Sequence, residues 1–297
     1  MTRFVLGSLF LNCQDQIYSE EYSDFIGNRS LIESKYALDC KQPLGARFAS
    51  LYLKLSDGYE DGTVYGYYNI PKLFGLQDTG SMEASGILQV RENPDLKLDG
   101  SGVLIGFVDT GIDYAGSIFL KQDGTTRVIA IWDQTIPAGS PIRLPAQPEL
   151  PETPENITRT PEGFLYGSEF THEQLNAAVK MADAYEGISS RDENGHGTFL
   201  ASIAAGNELP DGSFTGAAPK ADIAMVKLKP AKNRLRAYYQ IKEDAVAYQE
   251  NDIMAGVLYL VSLAKKRQQP LVICLGLGTN AGSHRGGLPL ARMLEEI

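Results

Sequence analysis

Four apolar runs bounded by turn residues, at 103–108, 128–132, 223–228 and 271–277, set the rhythm of the chain from Gly86 onward. Each run is apolar at successive positions, as expected for central strands covered on both faces. They alternate with segments of helical period, so the pattern predicts an α/β fold with a mostly parallel central sheet and crossover helices. Ile253, Val257, Leu260, Val261 and Ala264 mark one face of such a helix. It should end at Lys265-Lys266-Arg267, where cations suit the negative dipole end, and Pro270 forbids its continuation into the 271 strand. Ala291 to Ile297 reads as a further helix that runs to the last residue without a cap signal.

The pattern is different before Gly86. Residues 1–80, rich in Tyr and acidic side chains, read as an N-terminal appendage, and Ser56-Asp-Gly-Tyr-Glu-Asp-Gly62 predicts a hairpin or turn pair within it. Residues 81–297 read as the main domain, interrupted at 134–163 by a proline-rich excursion with little apolar periodicity. That excursion either shapes a cleft or is a solvated insertion. The stretch Phe4-Val-Leu-Gly-Ser-Leu-Phe-Leu11 fits a first strand, a buried segment or a short signal core, but no small-residue cleavage site follows it.

Composition narrows the function classes. The chain has 297 residues, 43% of them hydrophobic, enough for one large core or two modest ones. A net charge of -10 with a sequence pI near 4.9 argues against a nucleic-acid surface. No apolar run reaches membrane-spanning length. Cys13, Cys40 and Cys274 show no metal-ligand spacing and cannot all pair with one another, so no disulfide framework is expected and Cys274 reads as a buried thiol.

The candidate chemistry lies in two motifs. Val108-Asp109-Thr-Gly-Ile-Asp113 ends the first apolar strand, placing Asp109 at the carboxyl edge of a parallel sheet, where open α/β folds carry their chemistry. A dinucleotide site is a poor alternative, because Gly100-Ser-Gly102 precedes the strand whereas a phosphate loop must follow it. Asn194-Gly-His196-Gly-Thr198 opens a run of small residues ending at Gly206, predicting a tightly packed helix with a glycine cap. An imidazole in a first helical turn feels the positive dipole end, and a nearby carboxylate opposes it, a combination suited to a general base. A lone histidine is more often a structural one; paired with the Asp strand, His196 reads as two thirds of a nucleophile, base and acid arrangement.

These motifs resemble those of subtilisin-type (subtilase) serine peptidases, peptidase family S8, most closely the Csp-like clostridial germination protease subgroup. The order Asp then His is that family's order, with Ser last. Gly216-Ala-Ala-Pro219 and the strand after it, and Val272-Ile-Cys-Leu-Gly-Leu-Gly278, match two further family motifs. The resemblance implies a subtilisin-like three-layer fold, incomplete at its C-terminus, with a propeptide-like role for residues 1–80. It also implies Asp109 and His196 as catalytic residues and Gly276, Leu277 and Gly278 as the strand that binds extended substrate. A protein or peptide would be the substrate, no cofactor is required, and a structural calcium is conceivable without assignable ligands. Phe199 and Gly276 depart from residues common in the family.

The nucleophilic serine is missing from the chain. Ser81 precedes the Asp strand, and Ser283 beside His284 lies in a Gly/Ser/Asn turn, so neither fits. Asn280 is not on the strand expected to carry an oxyanion donor. The expectation is therefore a serine endopeptidase whose serine-bearing part follows Ile297, this chain alone being an inactive N-terminal fragment. Its competitor is a pseudoprotease with a binding or regulatory role. A metal hydrolase built on His172, His196 and His284 lacks any paired-ligand motif. The subgroup resemblance suggests a bacterial cytoplasmic or spore setting and leaves an extracellular one open.

Overall fold

The computed structural model describes residues 13–30, 40–54, 67–76, 98–144, 157–211, 214–282 and 285–297. The Phe4 stretch, the Ser56 turn pair, Ser81, the boundary at 80, the middle of the proline-rich excursion, Ser283 and His284 lie outside them.

In chain order the elements are α1 (Cys13–Tyr18), β1 (Tyr22–Asn28), β2 (Lys41–Leu44), β3 (Phe48–Lys54), β4 (Leu73–Leu76), β5 (Leu104–Asp109), β6 (Val128–Asp133) and β7 (Ser168–Thr171). There follow α2 (His172–Val179), α3 (Ala184–Gly187), α4 (His196–Ala205), β8 (Asp222–Lys227), α5 (Asn233–Tyr238), β9 (Tyr248–Gln249), α6 (Glu250–Arg267), β10 (Leu271–Cys274), β11 (Leu277–Gly278) and α7 (Pro289–Leu294).

The central sheet runs β10-β5-β8-β6-β7, parallel except for β7, which pairs antiparallel with β6. Every residue of β5 and β6 is buried. Their alternate side chains face opposite layers: Leu104 and Val108 pack with α6, while Ile105 and Phe107 pack with Leu200, Ala201 and Ala205 of α4. This is the expected three-layer arrangement, and continuous apolar runs encode it because both faces must be dry. α6 ends with Lys265, Lys266 and Arg267 in its last turn and a left-handed Gln268, two residues before Pro270.

Three expectations need correction. The 271–277 run is not one central strand: β10 stops at Cys274, lies at the sheet edge among the described residues, and leaves Val272 56% exposed. The chain then leaves this sheet, and β11 pairs elsewhere. Gly206 follows α4 with φ -61° and ψ 146°, an extended residue rather than a left-handed cap. Its carbonyl accepts from Gly216 N at 3.0 Å, so the glycines serve close approach of two segments. Finally, Cys13 and Cys40 are disulfide-bonded, tying α1 to the start of β2, while Cys274 is free and half-buried. A sequence separation of 27 carries no spacing signal, which is why the pair was illegible.

The N-terminal region joins the body closely. β1, β3 and β2 form an antiparallel sheet. Residues of α1 through β3, including Ile17, Ile26, Cys40, Leu44 and Tyr52, share a core with α6. Asp24 of β1 is wholly buried, accepting from Lys232 Nζ and, on its other oxygen, from Gln249 Nε2 at 2.9 Å and Asn251 Nδ2 at 3.1 Å.

Candidate active site

Asp109 ends β5 and is buried. Its Oδ1 accepts from Thr110 N at 2.7 Å and lies 2.8 Å from His196 Nδ1, so the two motifs meet as expected. Burial pushes the Asp109 carboxyl above the ordinary carboxylate range, a push that the bonds from His196 and Thr110 only partly offset. With Nδ1–H donated to the carboxylate, the proton-accepting lone pair of the imidazole is on Nε2.

Local backbone explains why glycines flank the histidine. Gly195 caps α4 at φ 87°, a left-handed conformation costly for other residues. A Cβ on Gly197 would strike the carbonyl of Gly111, in the turn after Asp109, so only glycine lets the helix start approach the strand end. Gly276 is equally constrained: a Cβ there would collide with Leu200 and sit 3.2 Å from His196 Cε1 and 3.3 Å from Asp109 Oδ2. The glycine noted as a departure in sequence thus fits a site where a side chain would have to displace Leu200 and press on the Asp/His pair.

The strand expected to bind substrate is occupied on its edge by the chain itself. Leu277 and Gly278 of β11 pair antiparallel with Leu76 and Gly75 of β4. The opposite side of β4 pairs with β9, Leu73 with Gln249 and Phe74 with Tyr248. Phe74 is 7% exposed and borders a cavity of about 240 Å³ formed with Ala281, Leu288, Leu290, Ala291 and Leu294.

Of the other candidates, Asn280 is exposed, Phe199 is 49% exposed on α4, and His172 Nε2 bonds to Thr126 O at 2.9 Å, remote in role from the pair. Burial, with the Asp109 charge second, pushes the Cys274 thiol up, so it is not an activated nucleophile. Among the described residues no group of three His, Cys, Asp or Glu side chains is arranged to hold a metal. No helix among them is long and apolar enough to cross a membrane.

Two residues to which the sequence assigned no role also hold the site. Asp192 accepts bonds from Thr110, Gly195 and Thr198, and Lys227, beside Asp109 in the sheet, donates to Arg191 O and Glu193. Asp192 could have been found as an acid shortly before a helix start.

An α/β body with a buried Asp/His pair at the carboxyl edge of its parallel sheet, next to a strand-binding edge, is built like a serine hydrolase. The family model described as "Subtilase family" matches residues 100–291, and the chain belongs to that family. It is similar to Subtilisin-like protease SBT3.8 of Arabidopsis thaliana, 30% identical over 144 residues, covering 43% of this chain and 16% of that protein. It is also similar to Subtilisin-like protease SBT2.2 of the same plant, 31% identical over 136 residues, covering 43% and 15%. Among solved structures, the Clostridium perfringens CspB protease matches with a TM-score of 0.53 and 29% identity, over 72% of this chain and 37% of that one. The chain thus spans about a sixth of the curated relatives' length and little more than a third of the CspB chain.

Proposed function

We propose that this chain is the Asp/His part of a serine-type endopeptidase whose nucleophile is supplied by sequence following Ile297. The observation that carries this reading is the 2.8 Å contact between His196 Nδ1 and Asp109 Oδ1 beside Gly276. In the proposed reaction the serine hydroxyl attacks a peptide carbonyl and His196 Nε2 takes its proton. Asp109 stabilises the resulting imidazolium, and the proton is then passed to the leaving amine. An extended substrate would add as a strand between β9 and β11, taking main-chain bonds from both. β4 holds that place here, which supports a propeptide-like role for the N-terminal region.

The test is to express the chain together with its downstream sequence, label it with a fluorophosphonate probe and follow hydrolysis of a protein substrate. H196A and D109N should each lower kcat on the order of 10⁴-fold, and the 297-residue chain alone should show no turnover. Hydrolysis that survives H196A overturns the reading. The filled strand edge also favours a second reading, a catalytically inactive relative with a binding or regulatory role. A glycine or alanine at the nucleophile position would decide for it.

A further inference from the structure

The carboxylate of Asp192 receives five hydrogen bonds from the two segments that carry Asp109 and His196. Oδ1 accepts from Thr110 Oγ1 at 2.7 Å, Gly195 N at 2.8 Å and Asn194 N at 3.2 Å. Oδ2 accepts from Thr198 N at 2.8 Å and Thr198 Oγ1 at 2.7 Å. The two hydroxyls relay the arrangement onward: Thr110 Oγ1 accepts from Gly197 N at 2.9 Å, and Thr198 Oγ1 accepts from Asp113 N at 3.0 Å.

The direction of these bonds follows from chemistry. An ionised carboxylate only accepts, so each threonine must spend its single proton on Asp192 and turn its lone pairs toward the backbone N–H groups of Gly197 and Asp113. One bond in each relay therefore crosses between the turn after Asp109 and the start of α4. Lys227 holds the same loop from outside, donating to Arg191 O and Glu193 Oε2, both at 2.7 Å.

We propose that Asp192 is a positioning residue that sets the contact between Asp109 and His196 by fixing the proton direction in both threonine relays. The proposal rests on the reading of that pair as catalytic, and it adds a residue that touches neither substrate nor imidazole. The state of the group agrees. Partial burial works to raise the Asp192 carboxyl, but the bonds from Thr198, Thr110 and the Thr198 and Gly195 amides outweigh it and hold the group below the usual range.

Asp192→Asn keeps the shape and reverses the polarity of one atom. Its amide NH₂ cannot accept, so it faces either the Thr198 N–H or the Gly195 and Asn194 N–H groups donor against donor, and the side chain no longer fixes the proton direction of both threonines. The experiment uses the 297-residue chain with ¹⁵N-labelled histidine and reads the water exchange of the His196 Nδ1 proton by NMR, with D109N as the reference for a broken pair. In D192N that exchange should quicken on the order of tenfold or more, the factor expected when a charge-assisted bond is lost. The ring signal of His172, bonded to Thr126 O, should stay unchanged and report an intact fold.

A Nδ1 proton in D192N as protected as in the parent overturns the proposal. A parent protein without a protected, Asp109-dependent Nδ1 proton would instead overturn the catalytic pair itself, so the two failures are distinct. If D192N does not retain the His172 signal, T110V answers the question, since it removes one relay and leaves the carboxylate capping α4. Quickened exchange in T110V supports the proposal, and parental exchange overturns it.

Discussion

Gly276 lies so close to His196 that a Cβ built on it would stand 3.2 Å from Cε1 while running into Leu200. The Asp/His pair and the strand edge next to it are therefore one packed unit. G276S should destabilise the chain by about 1–3 kcal/mol through overpacking. The double variant G276S/L200A should recover part of that loss relative to the sum of the single changes, because both act on the same contact. Urea unfolding of the four proteins of the cycle measures it, and strict additivity would show that Leu200 is not the obstacle.

Phe74 anchors β4 between β9 and β11. F74A should cost about 3 kcal/mol, as for other buried aromatic truncations, and should raise hydrogen exchange at the amides of residues 277 and 278 before the central sheet opens. In a chain extended to carry the nucleophile, the same change should lower the concentration of an external peptide needed to fill the cleft. Unchanged exchange at those amides would mean that β4 is held by something other than this side chain.

The buried pair of Asp24 with Lys232 locks the N-terminal sheet to the body. Removing either partner strands a buried charge, so D24A and K232M should each cost about 3–5 kcal/mol. The double variant should cost clearly less than their sum. Denaturant unfolding followed by tyrosine and tryptophan signals reads all three, and additive losses would contradict a direct coupling.

Glu250 begins α6 with its carboxyl pushed upward by burial, an effect that bonds from Leu290 N and Lys72 N and the Lys72 charge only partly oppose. A raised folded-state pKa means that its stabilising contribution is fully present below the unfolded value of about 4.3 and is lost as pH rises through the folded one. E250Q cannot titrate, so its stability relative to the parent should improve from pH 4 to pH 7. A difference that is flat or worsens over that interval would contradict burial as the dominant influence.

The sequence was readable where burial is two-sided or where chemistry demands a rare local context. β5, β6 and β8 fall within a residue or two of their apolar runs, and α6 stops at its cationic turn before Pro270. Asp109 and His196 were legible because glycines at 195 and 197 are the residues that the helix start and the nearby Gly111 carbonyl allow. The break of the 271–277 run into β10 and β11 was not legible, nor was the partner of β11, since Leu73-Phe-Gly-Leu76 carries no periodic signal of its own. Nor could composition reveal that Glu250, Asn251 and Asp252 are all buried, because their partners, Lys72, Asp24, Lys229 and Tyr166, come from distant segments.

β4 also constrains the order in which the molecule can assemble. Its two neighbours lie far downstream: the pairing with β9 must wait for Tyr248 and Gln249, and the pairing with β11 until α6 has been passed. Contacts so remote along the chain form late and slow the search. A strand made early is therefore among the last to settle, because β4 leaves the ribosome long before the second of its neighbours exists.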